Sequence, residues 1–421
     1  MFKIYLPLSL VFLFSCSSSM LTDSQRVELK KNLSKQMTKD TKNMKLPKAN
    51  LDHEGVVNRS SIVSWGDKKP TAPKGFEVIL FANELKHPRR ILELPNGDIL
   101  VAESDDASKS KNQIRLLRDK DGDGVAEEKH VLLKEFKQPY GMAYLKGKLY
   151  VSGVDAVKVY NYSLGRNKIN SKGVQIIYLP AGGYNHHWTR NLMVSQDKKH
   201  LYISVGSSSN VGEHGMDKEV RRANILKVNL DGSQEQVFAA GLRNPVGMDF
   251  SSKGELWTVV NERDNIGDDL VPDYLAKVKQ GDFYGWPYSY YGQNADPRRA
   301  GERDDLVKKA KVPSVALGAH TASLGLSFYN KKSFPKAYHN GAFIGQHGSW
   351  NRKVLSGYQV VFVAFKNGQP SADPKPFLTG FVADEDSSKV YGRPVGVEVL
   401  STGDLLVADD ASNSIWLVRK K

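Results

Sequence analysis

From Gly75 onward, apolar and polar positions alternate with a period of two in short runs, and one arrangement keeps returning: two such runs joined by a tight polar turn. This is the pattern of a half-buried β-hairpin. Copies occupy residues 90–102, 141–152, 191–204, 246–257 and 395–408, with turns such as Asn96-Gly97-Asp98, Lys146-Gly147 and Thr402-Gly403. A looser copy joins 324–329 to 341–345. One hairpin cannot bury its own faces, so a repeated hairpin needs neighbours of its own kind. The expected fold is all-β, a six-bladed β-propeller spanning residues 73–421. Ser414-Ile415-Trp416-Leu417-Val418 supplies one more strand at the end, and the early strand from Phe76 to Phe81 is predicted to complete that last blade and remove its open edge.

Two regions break the pattern. Between the fourth and fifth hairpins lies an insert from Asn261 to about Ser323, rich in acidic and aromatic residues. A long ordered loop on such a scaffold commonly carries function. Upstream, residues 17–72 read as a tether: lysines recur, prolines cluster at 70–73, and only Leu29, Leu33 and Met37, four apart, suggest a short amphipathic helix.

Composition refines this picture. Across 421 residues, 40% hydrophobic and 25% charged content suits a globular chain with a sizeable core. The net charge of +14 would suit an anionic partner, but much of the excess lies in the lysines before Pro73. No recognition fold or stacking-aromatic motif accompanies them, so nucleic acid is not an expected partner. The single cysteine, Cys16, follows Lys3 and an apolar run from Ile4 to Phe14 that is too short to span a bilayer. Leu13-Phe14-Ser15-Cys16 resembles a bacterial lipoprotein signal. Residues 1–16 are therefore expected to direct export to the periplasmic side of a bacterial membrane, with the protein lipid-anchored through Cys16. The mature chain would then hold no disulfide.

The stretch most suggestive of chemistry is Gly182-Gly183-Tyr184-Asn185-His186-His187-Trp188, where a Gly-rich loop delivers two histidines to the start of a hairpin. Imidazole titrates near neutrality and is the commonest general base. A second candidate is Asp119-Lys120-Asp121-Gly122-Asp123-Gly124. Its alternating carboxylates suit Ca²⁺, with Glu127 or Glu128 able to complete the set. His130 stands where an EF-hand would need its bidentate glutamate.

Several short motifs occur in order, each beside a predicted hairpin: His187-Trp188-Thr189-Arg190-Asn191-Leu192, Gly241-Leu242-Arg243-Asn244-Pro245, Asn261-Glu262-Arg263-Asp264-Asn265, Tyr284-Gly285-Trp286-Pro287, His347-Gly348-Ser349-Trp350-Asn351-Arg352 and Gly392-Arg393-Pro394. Together they resemble the soluble quinoprotein sugar dehydrogenases of the sorbosone and aldose type. The resemblance implies pyrroloquinoline quinone (PQQ) over the propeller axis with Ca²⁺, oxidation of a sugar or related hydroxy or aldehyde substrate, and an unidentified electron acceptor. It implies His187 as base and Arg243 as the cation stabilising the quinone oxygen. Gln138, Asn244, Arg352 and Arg393 would bind the cofactor, and backbone oxygens of Asp264 and Asn265 would bind its Ca²⁺. Tyr284 and Trp286 would wall the substrate. Glucose-oxidising relatives have a carboxylate where this chain has Ser207, and serine can accept a hydrogen bond from imidazole but cannot stabilise imidazolium with charge. Two other readings stand beside this one: a Ca²⁺-dependent propeller hydrolase of the lactonase kind, and a catalytically silent propeller that binds an envelope glycan or protein.

Overall fold

A computed structural model describes residues 21–53, 55–105, 111–134 and 136–421. Cys16 and the rest of the expected signal lie outside them. The described chain is mostly β-strand, with helices few and short. Six sheets, each with four antiparallel strands, form one after another along the chain, and the third and fourth each gain a fifth strand. They begin at Pro88–Glu93, Met142–Leu145, Leu192–Val194, Pro245–Phe250, Ser323–Phe328 and Pro394–Val399. These first strands touch in succession, and the sixth touches the first. The strand Phe76–Ala82 joins the sixth sheet, pairing with Ser414–Lys420 from Phe76 opposite Lys420 to Leu80 opposite Trp416.

First strands can approach this closely because small residues face their neighbours. A Cβ on Gly396 would lie 2.3 Å from the Arg89 carbonyl oxygen, an approach only glycine permits. Farther out the sheets are held by apolar layers between them. Val101 and Leu406 belong to one such layer, Leu226 and Val157 to another, and all four are fully buried. Alternating strand sequences supply both faces, which explains why the hairpin pattern is readable without the structure.

The insert is partly sheet. Pro272–Lys277 and Val315–Ala319 are the third and fourth strands of the fourth sheet, and Asp282–Phe283 pairs in parallel with the outer strand of the third. Tyr274, Tyr284, Tyr290 and Tyr291 pack into one buried cluster between them.

Residues 21–72, expected as a tether, lie against this body. Helix Asp23–Lys35 starts at a capping box, in which Thr22 and Gln25 satisfy each other's backbone N–H. Arg26 pairs with Asp386 and Lys30 with Glu385. Met37–Thr38 then adds a fifth strand to the fourth sheet. Trp65 is buried against Phe381, Tyr391 and Trp416. Lysine-rich composition describes the outer surface of this arm, while its contacts are made by scattered residues without a period.

Candidate active site

The cavity of interest, about 480 Å³, lies at one end of the six sheets. Its walls come from segments just before first strands (His187, Asn244, Arg393), from the loops after second strands (Asn261, Asp264, His347), from Arg89 in the first sheet and from His320. Its volume falls within the roughly 300–1,000 Å³ typical of small-molecule sites.

His187 is held by its own loop. Arg190, fully buried, donates to the carbonyls of His187, Thr189 and Pro180 at 2.8, 2.9 and 2.8 Å, fixing the loop from inside. A Cβ on Gly206 would fall 2.6 Å from His187 Cβ and 2.4 Å from Asn244 Oδ1, so glycine lets both side chains meet there. His187 Nδ1 lies 2.9 Å from Ser207 Oγ and 3.0 Å from the Ser207 carbonyl oxygen. Ser207 Oγ already donates its proton to the Ser209 carbonyl at 2.6 Å. Both oxygens can therefore only accept, so Nδ1 carries the hydrogen and Nε2 keeps its lone pair. Burial, with the charge of Arg243 and the neighbouring His186 adding to it, holds His187 well below the usual histidine range and thus neutral. His186 is exposed, with Nδ1 3.2 Å from the Tyr184 hydroxyl.

Opposite stands a second oriented imidazole. His347 Nε2 is 2.9 Å from both oxygens of Asp410, a buried carboxylate that also pairs with Arg89 and lies 3.4 Å from His87. Burial opposes ionisation of Asp410, but these partners outweigh it and keep the carboxyl well below its usual range. The carboxylate fixes the hydrogen of His347 on Nε2. Burial, helped by Arg393, lowers His347 to about 3. The cavity thus presents two neutral histidines of opposite tautomer, with His187 Nε2 and His347 Nδ1 free of protein partners among the described residues.

Of the expected residues, His187, Asn244, Asp264 and Arg393 line the cavity. Arg393 gives Nε to the His347 carbonyl and one Nη2 hydrogen to Gly348, and it lies over the Tyr358 ring. Asn244 Oδ1 is buried with no partner. Others do not reach. Arg243 is wholly buried behind the wall, with all five N–H donors committed to Asn210, Asn261, Glu262 and Asp264, so it acts there only through its field. Arg352 grips the arm, donating to the carbonyls of Leu29 and Asp268 and pairing with Asp269. Gln138 stands outside the lining residues, in a turn with φ of 48°. Tyr284 donates to the Lys277 carbonyl and Trp286 to that of Asn210, both inside the packed insert and not at the cavity.

In the Asp264–Asn265 loop, one of the two expected backbone oxygens, that of Asp264, is already engaged within the protein. The Asp264 carbonyl already accepts from Asn210 at 3.0 Å and Arg298 at 2.9 Å. Asn265 is clasped to Asn351 through its N–H and side chain. The Asp264 carboxylate faces His320 and Arg243; burial works against its ionisation, but those two partners hold it below the usual range. By contrast, carboxylate oxygens of Asp119, Asp121, Asp123 and Glu127 converge within 4.8 Å of one another. Glu128 turns instead to Arg118 and Lys120.

Sequence reasoning missed Arg89, His320 and Asp410, and it quoted His347 only as part of a motif. It also missed Arg59 and Ser60, which reach the cavity from the arm. A buried Asp shared by two histidines carries no local spacing, because its partners come from different sheets.

Several solved sugar dehydrogenases share this fold of successive sheets. The PQQ domain of pyranose dehydrogenase from Coprinopsis cinerea superposes with a TM-score of 0.71 at 20% identity, covering 84% of this chain and 97% of that one. The calcium structure of the Trichoderma reesei Carbohydrate-Active Enzymes Family AA12 protein gives 0.72 at 22% identity, over 86% and 99%. The soluble aldose sugar dehydrogenase of Escherichia coli gives 0.59 at 17%, over 82% and 100%. The chain belongs to the TrAA12-like family, whose model matches residues 70–421. An uncharacterized protein of Borreliella burgdorferi is 31% identical over 360 residues, 82% of this chain and 89% of its own length. In sequence, the PQQ-dependent pyranose dehydrogenase of Coprinopsis cinerea is 22% identical over 56% of this chain and 40% of that protein.

Proposed function

We propose that this protein is a quinoprotein oxidoreductase: a six-bladed β-propeller, its last blade completed by the strand Phe76–Ala82, that holds PQQ in the cavity and oxidises a sugar or related hydroxy or aldehyde substrate. The succession of six sheets and the contact of the sixth with the first support the blade count. The observation that carries the chemistry is the imidazole of His187, buried, neutral and protonated on Nδ1, with Nε2 open at a cavity lined by arginines.

The residues present fit the quinone. PQQ bears three carboxylates, and Arg393 and Arg89 offer guanidinium groups suited to them. The buried, unpartnered Asn244 Oδ1 is an acceptor awaiting a ligand donor. When bound, the quinone would supply a two-electron acceptor for a hydride. His187 Nε2 would take the proton of the substrate hydroxyl, with Ser207 holding the ring's tautomer. Arg243, fixed behind the wall and paired with Asp264, would act on charge developing in the cavity only through its field.

In the Asp264–Asn265 loop the Asp264 carbonyl is already taken by Asn210 and Arg298, and no step here depends on the cofactor Ca²⁺. A structural Ca²⁺ at Asp119, Asp121, Asp123 and Glu127 remains part of the proposal. So does export with a lipid anchor at Cys16, and an electron acceptor of unknown identity. A metal hydrolase needs several free side-chain oxygens on one ion, whereas the carboxylate in this cavity, Asp264, is committed to Arg243 and His320. Reconstituting the purified protein with PQQ and assaying dye reduction over a panel of aldoses and pyranoses tests the reading. Dye reduction that needs both PQQ and sugar supports it, and a folded protein that binds no PQQ overturns it.

A further inference from the structure

The arm crosses the mouth of the cavity. Its path is fixed on one side where Asn50 N–H donates to the Ile266 carbonyl at 2.9 Å and the buried His53 ring stacks on His320 with centroids 6.3 Å apart. Next, Asn351 Nδ2 donates to the Val56 carbonyl at 2.7 Å. On the other side, Asn58 N–H donates to the Trp350 carbonyl at 2.7 Å, its side chain donates to Lys353, and Ser61–Ile62 pairs in parallel with Lys389–Val390. Buried Trp65 anchors the end. A segment tied by main-chain bonds on both flanks is a fixed strap, not a fluctuating tail.

Between those ties, Arg59 and Ser60 face the cavity. The Arg59 guanidinium lies 5.5 Å from the centre of the Trp350 ring. Stacking of this kind holds the group in place yet leaves its N–H edge free. Among the described residues Arg59 has no carboxylate partner, in contrast to Arg26 on the same arm, which is paired. The cavity's own carboxylate, Asp264, is committed elsewhere. A cation placed at a pocket, stacked and unpaired, is suited to an anionic ligand.

We propose that the strap over residues 50–53 and 55–65 is a built wall of the ligand site and that Arg59 is a ligand-binding residue, its fork pairing with a carboxylate of the bound molecule. The strap lies upstream of residue 70, where the family match starts. The nature of the anion, the quinone's carboxylate, rests on the function proposed above. The strap itself rests on geometry alone.

The test uses the full chain and two probes, PQQ and the unrelated tricarboxylate citrate, with affinity measured by calorimetry and folding by thermal melt. Arg59→Ala is expected to weaken PQQ at least tenfold and speed its release, with an unchanged melting temperature in the absence of ligand, because the Arg59 side chain makes no hydrogen bond among the described residues. Arg59→Lys should recover only part of the loss, since an ammonium cannot form the two-pronged contact. Lys39→Ala, which removes an arm charge away from the cavity, should change nothing. Wild-type affinity and release rate in Arg59→Ala would overturn the assignment. If the wild type ignores PQQ but holds citrate through Arg59, the strap stands and the quinone reading falls. If it binds neither probe, both are overturned.

Discussion

His187 Nδ1 and Ser207 Oγ are 2.9 Å apart, and the serine, its own proton given to Ser209, can only accept. Position 207 therefore orients the imidazole without charging it. The Ser207 carbonyl accepts from the same nitrogen, so Ser207→Ala should keep the Nδ1–H tautomer and cost about 1 kcal/mol, a several-fold fall in turnover. Ser207→Asp should raise the His187 pKa by adding a negative neighbour. Nitrogen chemical shifts of His187 across pH report both results, and an Nε2–H tautomer in Ser207→Ala would refute the assignment.

Arg243 spends all five donors inside the protein, so its loss should be felt as stability first. Arg243→Met leaves the Asp264 carboxylate and the carbonyls of Asn210, Asn261 and Glu262 without this donor in a buried place. The expected cost is about 3–5 kcal/mol, the range for breaking a buried ion pair. Denaturant unfolding of the ligand-free protein checks this, and an unchanged midpoint would mean that Arg243 is free to serve a ligand.

The β-framework was legible because a hairpin's alternation is local: Leu149, Val151, Leu405 and Val407 announce a buried face within a few residues, and all are buried. His187 was legible for a similar reason, a Gly-rich loop meeting a strand. The arginines were not. Nothing in the sequence separates Arg243 and Arg352, which face protein carbonyls, from Arg393 at the cavity. The choice is made by which acceptors the fold brings near, and those acceptors lie 18 to 323 positions away in the chain. The arm failed for the opposite reason. Its contacts at Asn50, His53, Asn58 and Trp65 are single residues spaced without a period, so its lysines dominated the reading.

The acidic turn makes a prediction about metal. Oxygens of Asp119, Asp121, Asp123 and Glu127 within 4.8 Å repel one another unless a cation sits among them. Added Ca²⁺ should raise the melting temperature by several degrees, chelation should lower it, and Asp121→Asn should abolish the response. Mg²⁺, which demands stricter octahedral geometry, should be the weaker stabiliser. A melting temperature indifferent to Ca²⁺ would remove the ion from the account.

Acid should destabilise the fold before carboxylates titrate. His187 and His347 are held neutral by burial, with native pKa values below the unfolded 6.5. Below that pH the unfolded chain binds more protons than the native one, so stability is full above about 6.5 and falls as the pH drops. Each such histidine contributes up to about 1.4 kcal/mol per pH unit. His187→Gln should flatten this slope between pH 6 and 4 in denaturant titrations. An equal slope in the variant would show that the imidazole is charged in the native state.

The central claim is that His187 is the base over a quinone bound in this cavity, and the most direct measurement is the absorption spectrum of bound PQQ before and after sugar is added. Wild type and His187→Gln should bind PQQ with the same affinity. Only the wild type should convert it to the reduced spectrum, with the variant slower by about 10²–10⁴-fold. Equal reduction in both proteins, or no binding by either, would contradict the account.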